Sequence, residues 1–115
     1  MRILIGALAV ALLAGCSTVS DLTAGNPTQT YVSTKPPEAI ASCVFPAWKR
    51  YDENAQLSHP GQDWQIVSKS FFQVNDVVQF DLSDDKTGSI IKHYQRPEAS
   101  QAGRDSIRIA MNHCL

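Results

Sequence analysis

The sequence predicts an α+β domain of two layers, ordered helix, strand, strand, strand, helix over residues 36–115. Apolar residues recur at helical spacing in 36–52 and again in 97–114. Between them, β-branched and aromatic residues alternate with polar ones. Short connections make the strands a three-stranded antiparallel meander. Cys43 and Cys114 both fall on the apolar faces of these helices, so the two are expected to lie together on one side of it.

The first element, "PPEAIASCVFPAWKRYD", opens on Pro36 and Pro37, which a first helical turn tolerates, and on Glu38, which suits the positive helix end. Ile40, Cys43, Val44, Ala47, Trp48 and Tyr51 form one face, and Lys49 and Arg50 sit near the negative end. Pro46 removes a helical hydrogen bond, so a kink is expected there. "LSHPGQD" reads as a loop by its Pro-Gly. In the next stretch Trp64, Ile66 and Ser68 alternate with Gln65, Val67 and Lys69, while Val78, Phe80 and Leu82 alternate with Gln79 and Asp81. Asn75-Asp76 is the expected turn between these strands. "SDDKTG" is the second turn and "SIIKHYQ" the third strand. Pro97 and Glu98 open the last helix, where Gly103, Ile107, Ala110, Met111 and Cys114 share a face. Small residues near Gly103 would let this helix approach its neighbour closely.

The chain begins differently. Arg2 precedes an apolar run over residues 3–14, too short to cross a hydrocarbon core of roughly 30 Å, and small residues follow it. This is the pattern of a secretory signal peptide. The residues Leu13-Ala14-Gly15-Cys16 then resemble the lipobox of bacterial lipoproteins. The resemblance implies that residues 1–15 are removed and that Cys16 carries a diacylglyceryl group and becomes the first mature residue. It also implies that its new amino terminus takes a further acyl chain such as palmitate. Ser17 at the second mature position implies export to the outer membrane, where Asp would imply retention at the inner one. Two or three acyl chains give stable attachment, whereas one gives only reversible binding. Residues 16–35 are rich in Ser, Thr, Gly and Asn without sustained periodicity, and are expected to be a flexible tether. The nineteen residues after Cys16 could extend at most about 65 Å, or average nearer 25 Å as a coil.

Without residues 1–15 the charge is nine basic against eleven acidic residues, which offers nucleic acid no electrostatic footprint. Cys43 and Cys114 remain once Cys16 is lipidated. In the oxidising compartment that export implies, an even pair reads as a disulfide. Two buried free thiols or a reactive pair are the alternatives. No CxxC is present, and a zinc site would need histidines near both cysteines, whereas only His113 adjoins one. No metal or cofactor is expected.

Chemistry-bearing residues are scattered. His59, His93 and His113 fall on loop, strand and helix and read as surface or structural. No GxSxG or SxxK supplies a nucleophile motif, and Asp84-Asp85 reads as a self-capping turn. "KTGS" is similar to the KTG of penicillin-binding proteins, but their serine motif is absent. The aromatics Trp48, Tyr51, Trp64, Phe80 and Tyr94 read mostly as core. Phe71 and Phe72 are adjacent, so one of them points outward and marks a candidate partner surface. The order of elements, with Cys43 and Trp48 in the first helix, Gly88-Ser89 at the third strand and Cys114 at the end of the last helix, is similar to that of small lipoproteins of proteobacteria and their prophages, a resemblance that brings no activity. The expected role is non-enzymatic: binding an envelope protein or assisting outer-membrane assembly from the periplasmic side, with no small-molecule substrate evident. A lipid-anchored inhibitor, or an immunity or exclusion factor, is the alternative, and an envelope hydrolase ranks behind both.

Overall fold

The computed structural model describes residues 18–70, 73–96 and 101–115. Eight elements follow one another: α1 (Val19–Thr23), β1 (Gln29–Ser33), α2 (Pro37–Lys49), β2 (Gln56–Ser58), β3 (Trp64–Ser70), β4 (Gln73–Leu82), β5 (Ser89–Gln95) and α3 (Gln101–Cys114). The strands form one antiparallel sheet in the order β1-β5-β4-β3-β2. The fold is α+β, and the predicted meander is its centre, β3-β4-β5. Two edge strands widen it.

Alternation of side chains across the pleat divides the molecule. On one face Ile66, Val78, Phe80 and Ile91 meet Ile40, Ala41, Val44 and Trp48 of α2 and Ile107, Ala110, Met111 and Cys114 of α3 in one buried core. On the other face Val67, Val74, Val77 and Tyr94 form a smaller cluster, against which Val19 and Leu22 of α1 pack. α1 is closed by a capping box: the Thr18 amide donates to Asp21 Oδ2 at 3.1 Å and the Asp21 amide to Thr18 Oγ1 at 3.2 Å.

The segment expected as tether is therefore structured from residue 18 onward. Its polar composition hid β1, in which Tyr31 packs against the main core while Val32 faces outward, 73% exposed. The chain is held further by the Thr28 amide donating to His93 O at 2.7 Å and the Gln95 amide donating to Thr28 Oγ1 at 3.2 Å. β2 lies just ahead of, and within, the stretch expected as loop, with Leu57 the one residue that packs inward.

The turn expected at Asn75-Asp76 lies elsewhere. Ser70 pairs with Gln73, and Ser68 with Asp76, so both residues belong to β4. A register shift between Ser68 and Lys69 makes Asn75 the extra residue of a bulge, which breaks the period of two that a sequence reading depends on. Pro46 does not end α2, which is continuous across it. Pro46 and Ser42, whose carbonyl loses its helical partner, are both exposed, so water can satisfy that carbonyl. Tyr51, expected in the core, is 61% exposed. The proposed start of the last helix, Pro97 and Glu98, lies outside the described residues, as do Cys16, Ser17, Phe71 and Phe72.

Candidate functional site

The helical layer is closed by its sulfurs. Cys43 in the middle of α2 and Cys114 at the end of α3 have Sγ atoms 2.08 Å apart and Cα atoms 5.8 Å apart, the spacing of a disulfide. Lys35 secures the same corner. Its Nζ donates to the Cys114 carbonyl at 2.7 Å, which satisfies an acceptor at the negative end of α3. The Lys35 amide donates to Ser33 Oγ at 3.1 Å, and its carbonyl accepts from Ser89 Oγ at 2.7 Å. Gly88 completes the corner, because a Cβ there would stand 2.2 Å from the Ser33 carbonyl oxygen. Lys35 was not legible in the sequence, since its partner lies 79 residues away.

Within about two helical turns of that bond the two helices leave a cleft of about 220 Å³ lined by Ala47, Arg50, Tyr51, Ile109, Ala110 and His113. Two alanines, one from each helix, make room between larger neighbours. Tyr51 and Ile109, 61% and 56% exposed, stand at the rim with Arg50 and His113. The rim thus sets two exposed apolar side chains beside two polar ones.

A second cluster is polar and buried. On the side of the sheet that faces α2 and α3, Ser68, Asp76, His93 and Gln95 occupy neighbouring register positions, and all four are shielded from solvent. His93 Nε2 donates to Asp76 Oδ1 at 2.9 Å. His93 Nδ1, on a side chain with no exposed surface, has no hydrogen-bond partner among the described residues. Ser68 Oγ donates to Asp52 Oδ2, which fastens the loop after α2 onto β3. The serine hydroxyl is thus committed to one carboxylate and the imidazole to another, so they do not form a nucleophile–base pair. These polar contacts tie β5 to β4 and β3 to the loop after α2, in a buried part of the sheet without apolar side chains at those positions.

The remaining residues singled out in the sequence lie apart. His59 is exposed, stacks on Trp64 with ring centroids 4.2 Å apart, and has Nδ1 2.6 Å from the Asp63 carbonyl oxygen. His113 lines the cleft. Asp85 accepts from the Thr87 amide at 3.1 Å and from Ser83 Oγ, and these hydrogen bonds lower its carboxyl pKa to about 2. Lys86 completes this turn in the left-handed region at φ 61°. On the α1 side of the sheet, burial raises the Asp81 pKa, with Asp63 adding to the shift and Lys92, 4.0 Å away, opposing it. No group of three or more His, Cys, Asp or Glu side chains suited to a metal ion occurs among the described residues. None of the described helices is long and apolar enough to cross a membrane.

Among the described residues these features define a small α+β domain with one helix on one side of its sheet, two on the other, and a cleft in the thicker layer. Comparison with protein-family models, with curated proteins and with solved structures finds no match.

Proposed function

We propose that this chain is a non-enzymatic lipoprotein of the bacterial cell envelope, held at the outer membrane through Cys16, whose helical layer binds a protein partner on the periplasmic side. The address rests on the lipobox residues 13–16 with Ser17 behind them. The cleft between α2 and α3 carries the binding role. Its rim exposes Tyr51 and Ile109, and the Cys43–Cys114 pair fixes the helices that form it. A preformed apolar surface on a cross-linked frame loses little conformational entropy when a partner docks.

The test is photo-crosslinking from position 109 in the lipid-anchored protein, in intact cells, with Tyr51→Asp as the matched control. One stoichiometric adduct that the control loses supports the reading. Adducts unchanged by Tyr51→Asp refute the cleft as the binding surface. An adduct to an imported enzyme or phage component would instead favour the inhibitor role. The address has its own check: Cys16→Ala protein that still fractionates with the outer membrane rules out the lipid anchor.

A further inference from the structure

We propose that the sheet face carrying α1 lies directly against the lipid surface to which the chain is anchored, so that the helical cleft points away from the membrane. The inference rests on the reading of Cys16 as the lipidated residue and deepens it by naming which surface meets the bilayer.

Chain length carries the argument. Only Ser17 separates Cys16 from Thr18, which already caps α1. Two Cα–Cα steps of about 3.8 Å place Cys16 within about 8 Å of Thr18, not at the end of a tether that could reach about 65 Å. α1 in turn is packed through Val19 and Leu22 onto Val77 and Tyr94, on the side of the sheet opposite α2 and α3. Lipid leaving Cys16 therefore starts beside this face. A leash this short cannot carry the chain around to the other layer.

The face has the character such a contact needs. Val32, at 73% exposure, pairs across the sheet with half-buried Ile90, on the same side as α1. Thr30 and Lys92 pair beside them, and Asp81 lies 4.0 Å from Lys92. Thr30 and Val32 are exposed beside the Asp81–Lys92 pair, and Asp63, which acts on Asp81, and Asp21 of α1 leave the patch slightly acidic, so close approach to headgroups here does not draw on anionic lipid. Lys92 can keep its ammonium in the headgroup layer while its methylenes lie on the sheet.

The experiment uses the full chain, processed in a Gram-negative host, purified in detergent and reconstituted into vesicles of phosphatidylethanolamine and phosphatidylglycerol. A fluorophore is attached at Val32→Cys or at Ile109→Cys, both exposed positions on opposite layers, with the native disulfide left oxidised. Headgroup spin-labelled lipid is expected to quench the dye at position 32 several-fold more than at 109, and aqueous iodide to show the reverse order. Insertion of about fifteen Gly/Ser residues between Ser17 and Thr18 adds roughly 20 Å of coil and should abolish the difference. Equal quenching at the two positions in acylated, vesicle-bound protein overturns the orientation and leaves the anchor standing. A mature protein whose mass lacks acyl chains overturns both. A difference that survives the insertion overturns the short leash as its cause.

Discussion

Removing the Cys43–Cys114 link is expected to lower the stability of this domain by about 4 kcal/mol on the chain-entropy model. The estimate comes from the 71-residue separation of the two cysteines, because opening so long a loop restores a large freedom to the unfolded chain. The folded contacts change less. Cys43→Ala/Cys114→Ala leaves a small void at position 114, which is fully buried, and this adds about 1 kcal/mol. Domains of this size are stable by about 5–15 kcal/mol in total, so the loss is roughly a quarter or more of what holds the fold. At about 4–8 °C per kcal/mol, loss of the link alone should lower the midpoint of thermal unfolding by roughly 16–32 °C. Circular dichroism melts of the oxidised protein, the reduced protein and the double variant measure it, the reduced sample separating the link from the void. In parallel, thiol labelling of the unfolded, unreduced mature protein should find neither Cys43 nor Cys114. Melting points within about 5 °C of one another would refute the reasoning, as would labelling of both thiols.

The buried pair gives a sharper signature than a single loss. His93→Leu or Asp76→Leu alone should cost about 3 kcal/mol by urea unfolding, because each leaves its buried partner uncompensated. The double replacement should recover to within about 1 kcal/mol of the parent, and strictly additive losses would show that the two residues do not act as a pair. Gly88→Ala forces a Cβ toward the Ser33 carbonyl, so it should cost about 1–3 kcal/mol. Faster hydrogen exchange in residues 29–33 would locate the damage in β1, and unchanged exchange there would argue against it. Asp81 has a folded pKa above its unfolded one, so its charged form is disfavoured in the fold at pH above that raised value. Asp81→Asn should therefore raise the melting point at pH 7, by less than about 1 kcal/mol in stability for a partly buried group that solvent still screens. The gain should disappear as the pH falls through that value and Asp81 protonates. A gain that persists at low pH would assign the effect to something other than charge.

The parts of the fold that were legible in the sequence are those where one local pattern decides the outcome. "SIIKHYQ" is β5 residue for residue. Of the faces read for α2 and α3, Ile40, Cys43, Val44, Ala47, Trp48, Ile107, Ala110, Met111 and Cys114 join the core, Tyr51 does not, and the surroundings of Gly103 lie outside what is described. The edge strands were not legible, because β1 and β2 owe their existence to hydrogen bonds with strands distant in sequence, and neither carries a clean apolar alternation. Asn75 and Asp76 have turn-like side chains, yet Asp76 is buried against His93 and Asn75 Oδ1 accepts from Arg96 Nε at 3.1 Å. Tertiary partners overrode local preference at both. The cleft needed two helices to be placed side by side, and the position of Cys43 and Cys114 on the apolar faces hinted at that without showing that Ala47 and Ala110 would line a cleft among larger residues.

The link and the cleft are one construction. α3 is held on the domain by Ile107, Ala110, Met111 and Cys114, its buried anchors in the main core. Cys114 fixes its last turn to α2 at a Cα separation of 5.8 Å, and Lys35 caps the same carbonyl end. Ala47 and Arg50 follow Cys43 by one and two turns on α2, and Ile109 and Ala110 precede Cys114 by about one turn on α3. Whatever holds the cysteines together therefore sets the width of the cleft as well as the stability of the domain. Under mild reduction, at a temperature where the sheet remains folded, the crosslink from position 109 should be lost while the β5 amides stay protected from exchange. Retention of the crosslink under those conditions would mean that the sheet and Lys35 suffice to hold α3 in place, and that the cysteines serve stability alone.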